Sequence, residues 1–158
     1  MNKYLILALV GGAILVAACG GQAPAVAPVE RTIYMAAVEP KGGVTVDQEP
    51  FPSEALPPGD GYALKEPNDE GRWEVEAYRW DPGTVVVNQG DIVTLEIIGI
   101  NGKQHTFEIE GTDLSGVVRR GYITRLTFTA DTPGIFKLIC GTHKPSMQAS
   151  IVVLAAGG

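Results

Sequence analysis

The sequence is poor in basic residues, in aromatic residues and in long apolar runs. Twelve Lys and Arg against 18 Asp and Glu give a formal charge of -6, which makes nucleic acid an unexpected partner. With 7% aromatic residues, 20 glycines and 11 prolines, the 158 residues suit one modest β-rich domain plus irregular segments. The N-terminal apolar run, Tyr4 to Val16, is too short for a comfortable membrane span.

That apolar run is instead typical of a secretory signal. Lys3 precedes it, and Val16-Ala17-Ala18-Cys19 ends it, which resembles a bacterial lipobox. The resemblance implies cleavage of residues 1–18 and acylation of Cys19. An ordinary signal peptide and an uncleaved anchor are the alternatives. Cleavage would remove one basic residue, which leaves 11 basic and 18 acidic residues and a charge of -7. The mature protein is then expected on the extracytoplasmic face of a bacterial membrane.

Cysteine and histidine are scarce, which makes their positions informative. The only cysteines are Cys19 and Cys140, so acylation of Cys19 leaves Cys140 without an intramolecular disulfide partner. An unpaired thiol in an oxidising compartment is a liability unless it is buried or coordinated. The only histidines are His105 and His143, and Cys140, His143 and Met147 fall within eight residues.

The chain divides into segments of different composition. Residues 19–30, rich in Gly, Ala and Pro, predict a lipid anchor and flexible tether. Residues 31–71 begin with RTIYMAAV, which predicts an edge strand, and continue from residue 39 without a sustained period, which predicts a long loop. Three roles are open for this loop: packing onto the domain, covering a site or recognising a partner. Residues 72–158 alternate short strands with turns such as NQGD and DTPG, and predict an all-β sandwich or barrel.

Strand alternation assigns faces to two of the candidate ligands. Cys140 shares a strand face with Phe136 and Leu138, and His105 shares one with Phe107 and Ile109. A mononuclear copper electron-transfer centre needs two imidazoles, one thiolate and a weak axial thioether. The chain carries one such set, with one methionine to spare.

The region from Trp73 to Leu154 resembles a cupredoxin barrel, with a Greek-key β-sandwich. The run HTFEIEGTDLSGVVRRGYITRLTFTADTPGIFKLIC is similar to the dinuclear copper domain of cytochrome oxidase subunit II. That domain has C-x3-C-x3-H-x2-M, whereas this chain has C-x2-H-x3-M and no second cysteine to bridge two coppers. The resemblance therefore implies one copper ion, with His105, Cys140 and His143 as strong ligands and Met147 as the weak axial ligand. Met35 is the competing thioether, and a gap-filling core role is the alternative for Met147.

Several other residues carry weaker expectations. Many cupredoxins have asparagine after the first histidine, where this chain has Thr106, whose hydroxyl would tie the two ligand loops together. Trp73 and Trp80 are expected to pack in the core or at its rim. Arg119, Arg120 and Arg125 form a small basic cluster in this acidic chain. Strand alternation places Arg119 and Arg120 on opposite faces, so at least one is expected to be solvated, with docking as the alternative role.

The resemblance implies a one-electron carrier rather than an enzyme, because no spare histidine serves an open or second metal site. Its expected partners are membrane-bound respiratory or photosynthetic complexes or cytochromes, met transiently by a monomer tethered to the bilayer through acylated Cys19. In cupredoxins the histidine of the C-terminal loop is the solvent-facing edge, which assigns that role to His143. The alternatives are a copper-trafficking protein that supplies an oxidase, a copper enzyme and a degenerate metal-free subunit.

Overall fold

The described part of the chain is built entirely from β-strands. The computed structural model describes residues 27–156, and Cys19 with the predicted signal lies outside them. No helix occurs in that range, so none there is long and apolar enough to cross a membrane. The predicted all-β class is confirmed. The strands are β1 (Glu30–Val38), β2 (Lys41–Thr45), β3 (Tyr62–Lys65), β4 (Arg72–Ala77), β5 (Arg79–Asp81), β6 (Thr84–Asn88), β7 (Ile92–Gly99), β8 (Gln104–Ile109), β9 (Ser115–Arg119), β10 (Ile123–Thr129), β11 (Gly134–Cys140) and β12 (Gln148–Leu154).

Two sheets enclose the core. One has the order β10-β7-β1-β5 and the other β6-β12-β11-β8-β9. Alternate residues of β7 and β12, such as Leu95 and Ile151, point inward and are buried, as the period of two predicts. Trp80 lies in this core and meets Phe107 of the other sheet edge to face, at 6.2 Å between ring centroids. The expected packing role of Trp80 is confirmed.

β1 is an interior strand of its sheet, so the prediction of an edge strand is wrong. It pairs in parallel with β7 from Glu30–Ile92 onward and antiparallel with β5 through Ala37 and Trp80. Its burial alternates toward the C-terminal end, where Met35 and Ala37 enter the core. The short run RTIYMAAV shows β propensity, but a single strand gives no signal of how many neighbours it will find.

The predicted long loop after residue 39 is also corrected. It contains β2 and β3, which flank β4 in a separate three-stranded sheet of order β2-β4-β3. Trp73 of β4 is buried, donates from its indole nitrogen to the Glu49 carbonyl at 2.9 Å, and meets Phe51 edge to face. These strands were missed because KGGVT and YALK are short and lack apolar alternation.

The direction of β1 fixes the two ends of the molecule. Glu30 pairs with Ile92, at the start of β7, whereas the backbone of Glu39 hydrogen-bonds Asn101, just beyond the end of β7. The nine residues of β1 span roughly 30 Å at about 3.3 Å per residue. The chain therefore enters the described domain at one end and reaches the loop before His105 at the other, which we call the metal end.

Candidate metal centre

Three predicted ligands meet at the metal end. His105 is the second residue of β8, Cys140 is the last residue of β11, and His143 follows in the loop before β12. The Nδ1 atoms of the two imidazoles are 3.2 Å apart, and Cys140 Sγ lies 3.5 Å from His143 Nδ1. His105 and Cys140 are fully buried and His143 is half-buried. Within residues 27–156 this is the only group of three or more His, Cys, Asp or Glu close enough to hold a metal ion.

The orientation of His105 leaves one ring nitrogen available as a ligand. Its Nε2 lies 3.2 Å from the Asn101 carbonyl oxygen, which can only accept a hydrogen bond, so Nε2 carries the proton. Nδ1 is then unprotonated in the neutral ring and faces His143 and Cys140. A hydrogen bond to the remote nitrogen of a histidine fixes its tautomer and increases its strength as a ligand.

Glu39 lies beside the same remote nitrogen. Its Oε1 is 3.7 Å from His105 Nε2, its side chain is almost fully buried, and its backbone exchanges two hydrogen bonds with the Asn101 side chain. Gly102, with φ of +78°, passes so close that an added Cβ would overlap the Glu39 carboxylate and the imidazole. A carboxylate therefore stands in the outer shell of His105.

A chain of polar contacts continues from Glu39 to the second histidine. Lys41 Nζ lies 3.3 Å from Glu39 Oε2 and 3.4 Å from Glu76 Oε2, and the Tyr78 hydroxyl donates to Glu76 at 3.0 Å. The Tyr78 ring stacks on His143 at 3.9 Å between centroids, with 3° between the planes. One network thus runs from the remote nitrogen of His105 to the aromatic ring that covers one face of His143.

Sequence reasoning missed this network, although part of it left a signal. Glu39 directly follows the apolar strand end MAAV, where an acid that enters the core side is unusual. Tyr78 stands between Trp73 and Trp80 with no motif of its own. Only the pairing of β1 with β5 and β7 brings these residues beside the histidines.

The surroundings of His143 favour the form that binds metals. Burial lowers the pKa of its imidazole, and the neighbouring His105 lowers it further. The ring is therefore more readily neutral than an exposed histidine, and a neutral imidazole is the ligand form. His143 is partly exposed and Tyr78 covers one face of its ring, so its role as the solvent-facing edge stays a prediction.

The loop that carries His143 is fixed at both ends by backbone hydrogen bonds. Cys140 N donates to Met147 O at 2.9 Å, and Met147 N donates to His143 O at 3.0 Å. Gly141 N donates to Thr106 O at 3.1 Å, which joins the two ligand loops. The tie expected from the Thr106 hydroxyl is thus made by the Thr106 backbone.

Part of the predicted long loop also packs on this ligand loop. Asp60 N and Gly61 N donate to the Lys144 carbonyl at 2.9 and 3.1 Å. The Ser146 hydroxyl donates to the Gly61 carbonyl at 2.7 Å, and that same carbonyl accepts from Tyr78 N at 3.0 Å. Of the roles considered for this loop, packing beside the site is the one that these contacts provide.

The two candidate thioethers are equally buried. Met147 and Met35 both lie in the core with at most 1% of their surface exposed. Met147 closes the ligand loop through its backbone, whereas Met35 sits on β1 opposite Ile97. The assignment of Met147 as the axial ligand stays a prediction.

The donor set fits a single copper ion. Two imidazole nitrogens and one thiolate at separations of 3.2 and 3.5 Å match ligands that each lie about 2 Å from a shared ion. A trigonal His2Cys set is the strong-ligand arrangement of single-copper electron-transfer sites. Cys140 is the one free cysteine in residues 27–156, so those residues offer no second thiolate for a dinuclear site.

Comparison with known proteins gives one family and several structures. No curated protein matches the chain. A family model described as the cupredoxin-like domain matches residues 59–153. A chain of a heme-copper terminal oxidase dimer is 18% identical with a TM-score of 0.43, over 48% of this chain and 56% of that one.

Two further structures are similar to this chain over part of their length. A copper nitrite reductase from Nitrosomonas europaea is 22% identical with a TM-score of 0.49, over 80% of this chain and 42% of that one. Auracyanin A, a blue copper protein from Chloroflexus aurantiacus, is 18% identical with a TM-score of 0.42, over 48% of this chain and 88% of that one. The chain thus spans about half of the oxidase and reductase chains. With the all-β fold, the His-Cys-His cluster and a family match over more than half of its residues, the chain belongs to the cupredoxin-like domain family.

Proposed function

We propose that this protein is a membrane-anchored one-electron carrier with a single copper ion held by His105, Cys140 and His143. The observation that carries the proposal is the buried convergence of two Nδ1 atoms and one Sγ at 3.2 and 3.5 Å. Bound copper supplies one-electron exchange between Cu(I) and Cu(II). The chain's residues hold the ligands in place and bury His105 and Cys140 away from water.

Rigidity of the ligand loops favours a carrier over a trafficking protein. The Cys140–Met147 and His143–Met147 backbone bonds, together with the contacts to Gly61, hold the loop from both sides. Fixed ligands reduce the rearrangement that accompanies a change of charge at the site. Handing copper to another protein would instead require this loop to open.

The position of the N-terminal end of β1, opposite the metal end, suits a membrane anchor on the N-terminal side of the domain. Residue 27 enters the domain at the end opposite the metal end, because β1 runs between them. Val29 and Glu30, the last two residues of the predicted tether, are bonded to the domain instead. An acylated Cys19 and the residues between it and Val29 would then hold the ligand cluster away from the bilayer, toward membrane-bound redox complexes or cytochromes.

The test of the copper site is spectroscopic. Residues 20–158 are produced without lipid, given one equivalent of Cu(II), and examined by visible absorption and electron paramagnetic resonance. We expect an intense thiolate-to-copper band and the signal of one copper. Cys140→Ser should abolish the band while circular dichroism stays β-rich, because the serine hydroxyl is nearly isosteric but is no thiolate.

The outcomes separate the alternatives. Absence of an intense band in the unaltered chain would refute the electron-carrier proposal. A signal shared by two coppers would contradict the single-copper site. Transfer of copper to an acceptor domain during redox cycling would favour trafficking instead.

The anchor has a separate test. In a bacterial host, the full chain should fractionate with membranes and incorporate labelled fatty acid, whereas Cys19→Ser should incorporate none. Labelling that persists in Cys19→Ser would contradict a lipid on this cysteine. The copper spectrum should be unaffected by this substitution.

A further inference from the structure

One corner of the metal end combines positive charge with exposed apolar side chains. It lies where the loop between β7 and β8 meets the turn between β9 and β10. We call it the basic corner, and it consists of Ile100, Lys103, Arg119, Arg120, Tyr122 and Ile123.

Backbone contacts make the basic corner one continuous surface. Gly99 N donates to Tyr122 O at 3.0 Å, Gly121 N donates to Gly99 O at 2.8 Å, and Arg120 N donates to Lys103 O at 3.4 Å. Gly99 allows this approach, because an added Cβ there would overlap the Arg119 carbonyl. The two loops are therefore held side by side.

The positive charge of the basic corner is not neutralised within the described domain. Of the 11 Lys and Arg in residues 27–156, six lie within 4.0 Å of a carboxylate. Three of the other five are Lys103, Arg119 and Arg120, and Arg119 meets only the neutral Gln104 side chain, at 3.1 Å. Both arginines are exposed. In a chain with a net charge of -6, this is a local reversal of sign.

The apolar side chains of the basic corner are unusually open to solvent. Tyr122 is 69% exposed, Ile100 55% and Ile123 46%. An apolar group rimmed by charges of one sign is typical of a protein interaction site rather than of ordinary surface. Tyrosine and arginine are also residues that contribute strongly at interfaces.

The basic corner is next to the ligand cluster. Ile100 precedes Asn101, whose carbonyl accepts the hydrogen bond from His105 Nε2 at 3.2 Å, and Gln104 precedes His105 itself. A partner seated there is close to His105, on the side away from Tyr78 and β5 in the sheet order β10-β7-β1-β5.

We infer that the basic corner docks an acidic, partly apolar face of the protein that exchanges electrons with this chain. That docking serves electron exchange rests on the proposed function, but the binding surface itself does not depend on bound copper. The positive charge of the basic corner favours an acidic partner, because the rest of this anionic domain repels acidic proteins.

Binding is tested first without copper. Nuclear magnetic resonance spectra of the full chain, carrying Cys19→Ser and kept in mild detergent, are recorded at low ionic strength during addition of a polyglutamate peptide. We expect shifts in the amides of residues 99–104 and 119–123, and their loss in Arg119→Gln/Arg120→Gln. Polylysine should leave those amides unchanged.

Electron exchange is tested next with small reagents of opposite charge. The copper-loaded, reduced chain is oxidised by the ferricyanide trianion or by the tris(phenanthroline)cobalt(III) trication. Ferricyanide oxidation should slow as salt is added, and Arg119→Gln/Arg120→Gln should slow it about threefold to tenfold at low salt. The matched control is Lys65→Gln/Arg72→Gln, which removes two charges from the three-stranded sheet.

The two experiments separate failure of the surface from failure of the function. Peptide shifts elsewhere, or equal slowing by both double variants, would overturn the docking surface. Peptide binding at the basic corner in a chain that forms no redox-active copper site would support the surface and refute the carrier.

Discussion

At the scale of single residues, the outer shell of the ligand cluster is asymmetric. His105 meets a backbone carbonyl and the Glu39 carboxylate, whereas His143 meets the face of an aromatic ring. Two buried methionines compete for the axial role. Each difference can be tested by a substitution of nearly constant volume.

The axial assignment is tested by Met147→Leu. Loss of a thioether ligand destabilises Cu(II) more than Cu(I), so we expect the reduction potential to rise by tens of millivolts and the visible spectrum to change. Spectroelectrochemistry measures both, and Met35→Leu is the matched control. A larger shift in Met35→Leu than in Met147→Leu would reverse the assignment.

Glu39→Gln tests the carboxylate beside His105. Removing a negative charge 3.7 Å from His105 Nε2 makes the more positive oxidised site less favourable, so the reduction potential should rise. An interaction of about 1 kcal/mol corresponds to roughly 40 mV for a one-electron couple, in line with the relation ΔG = −nFΔE. The control is Glu74→Gln, which removes a carboxylate that pairs with Lys65 on the three-stranded sheet and does not contact either histidine. An unchanged potential would show that Glu39 does not act on the metal site.

At the scale of elements, the segment before β3 supports the ligand loop. Gly61 is buried against Ser146 and His143, and its carbonyl is shared by the Ser146 hydroxyl and Tyr78 N. Nothing in the composition of residues 46–61 indicates these contacts, because they depend on backbone groups that every sequence carries. The segment acts as a brace for the loop.

Gly61→Ala should loosen this brace. The added Cβ would overlap the Ser146 side chain and lie 2.9 Å from Ser146 N and 3.0 Å from His143 O. We expect a loss of about 1–3 kcal/mol in the free energy of unfolding of the metal-free chain, and faster release of copper. Urea unfolding and chelator competition measure these quantities. Gly42→Ala, where no atom lies within 4 Å of the new Cβ, is the control, and equal effects of both variants would contradict the brace.

At the scale of the whole molecule, Asp91 joins the chain entry to the barrel. The buried carboxylate accepts from Val29 N at 2.9 Å and Asn88 N at 2.8 Å, and pairs with Arg31. The Val29 N–H and the Arg31 side chain are the main causes that lower the pKa of Asp91 to about 2, from an ordinary 3.8. The start of β1 is thereby fixed to the turn before β7.

This contact predicts a specific acid sensitivity. Because the folded-state pKa of Asp91 is depressed, its contribution to stability is complete above about pH 4 and is lost as the pH falls toward about 2. Asp91→Asn should be less stable at pH 7 and should lose less stability over that interval. Thermal unfolding of the metal-free chain from pH 7 to pH 2 measures the difference. Equal slopes for Asp91→Asn and the unaltered chain would contradict the prediction, and Asp113→Asn is the surface control.

The sequence by itself determined the strand-rich class and identified His105, Cys140 and His143 as candidate ligands. Alternation placed Cys140 on the face of Leu138 and His105 on the face of Phe107. All four side chains are buried, because a period of two is a local property of the strand. The scarcity of cysteine and histidine left few other candidates for the metal.

Only the tertiary structure decided what surrounds those ligands. The interior position of β1, the three-stranded sheet and the contacts of Glu39 and Tyr78 with the two imidazoles join residues far apart in the chain. Such pairings depend on which strands become neighbours, and short strands with weak patterns do not encode their neighbours locally. The ligand set and the arginines of the basic corner were therefore readable from residue types and spacing. The outer shell of the ligands, and the apolar side chains that join the arginines in the basic corner, were products of strand order.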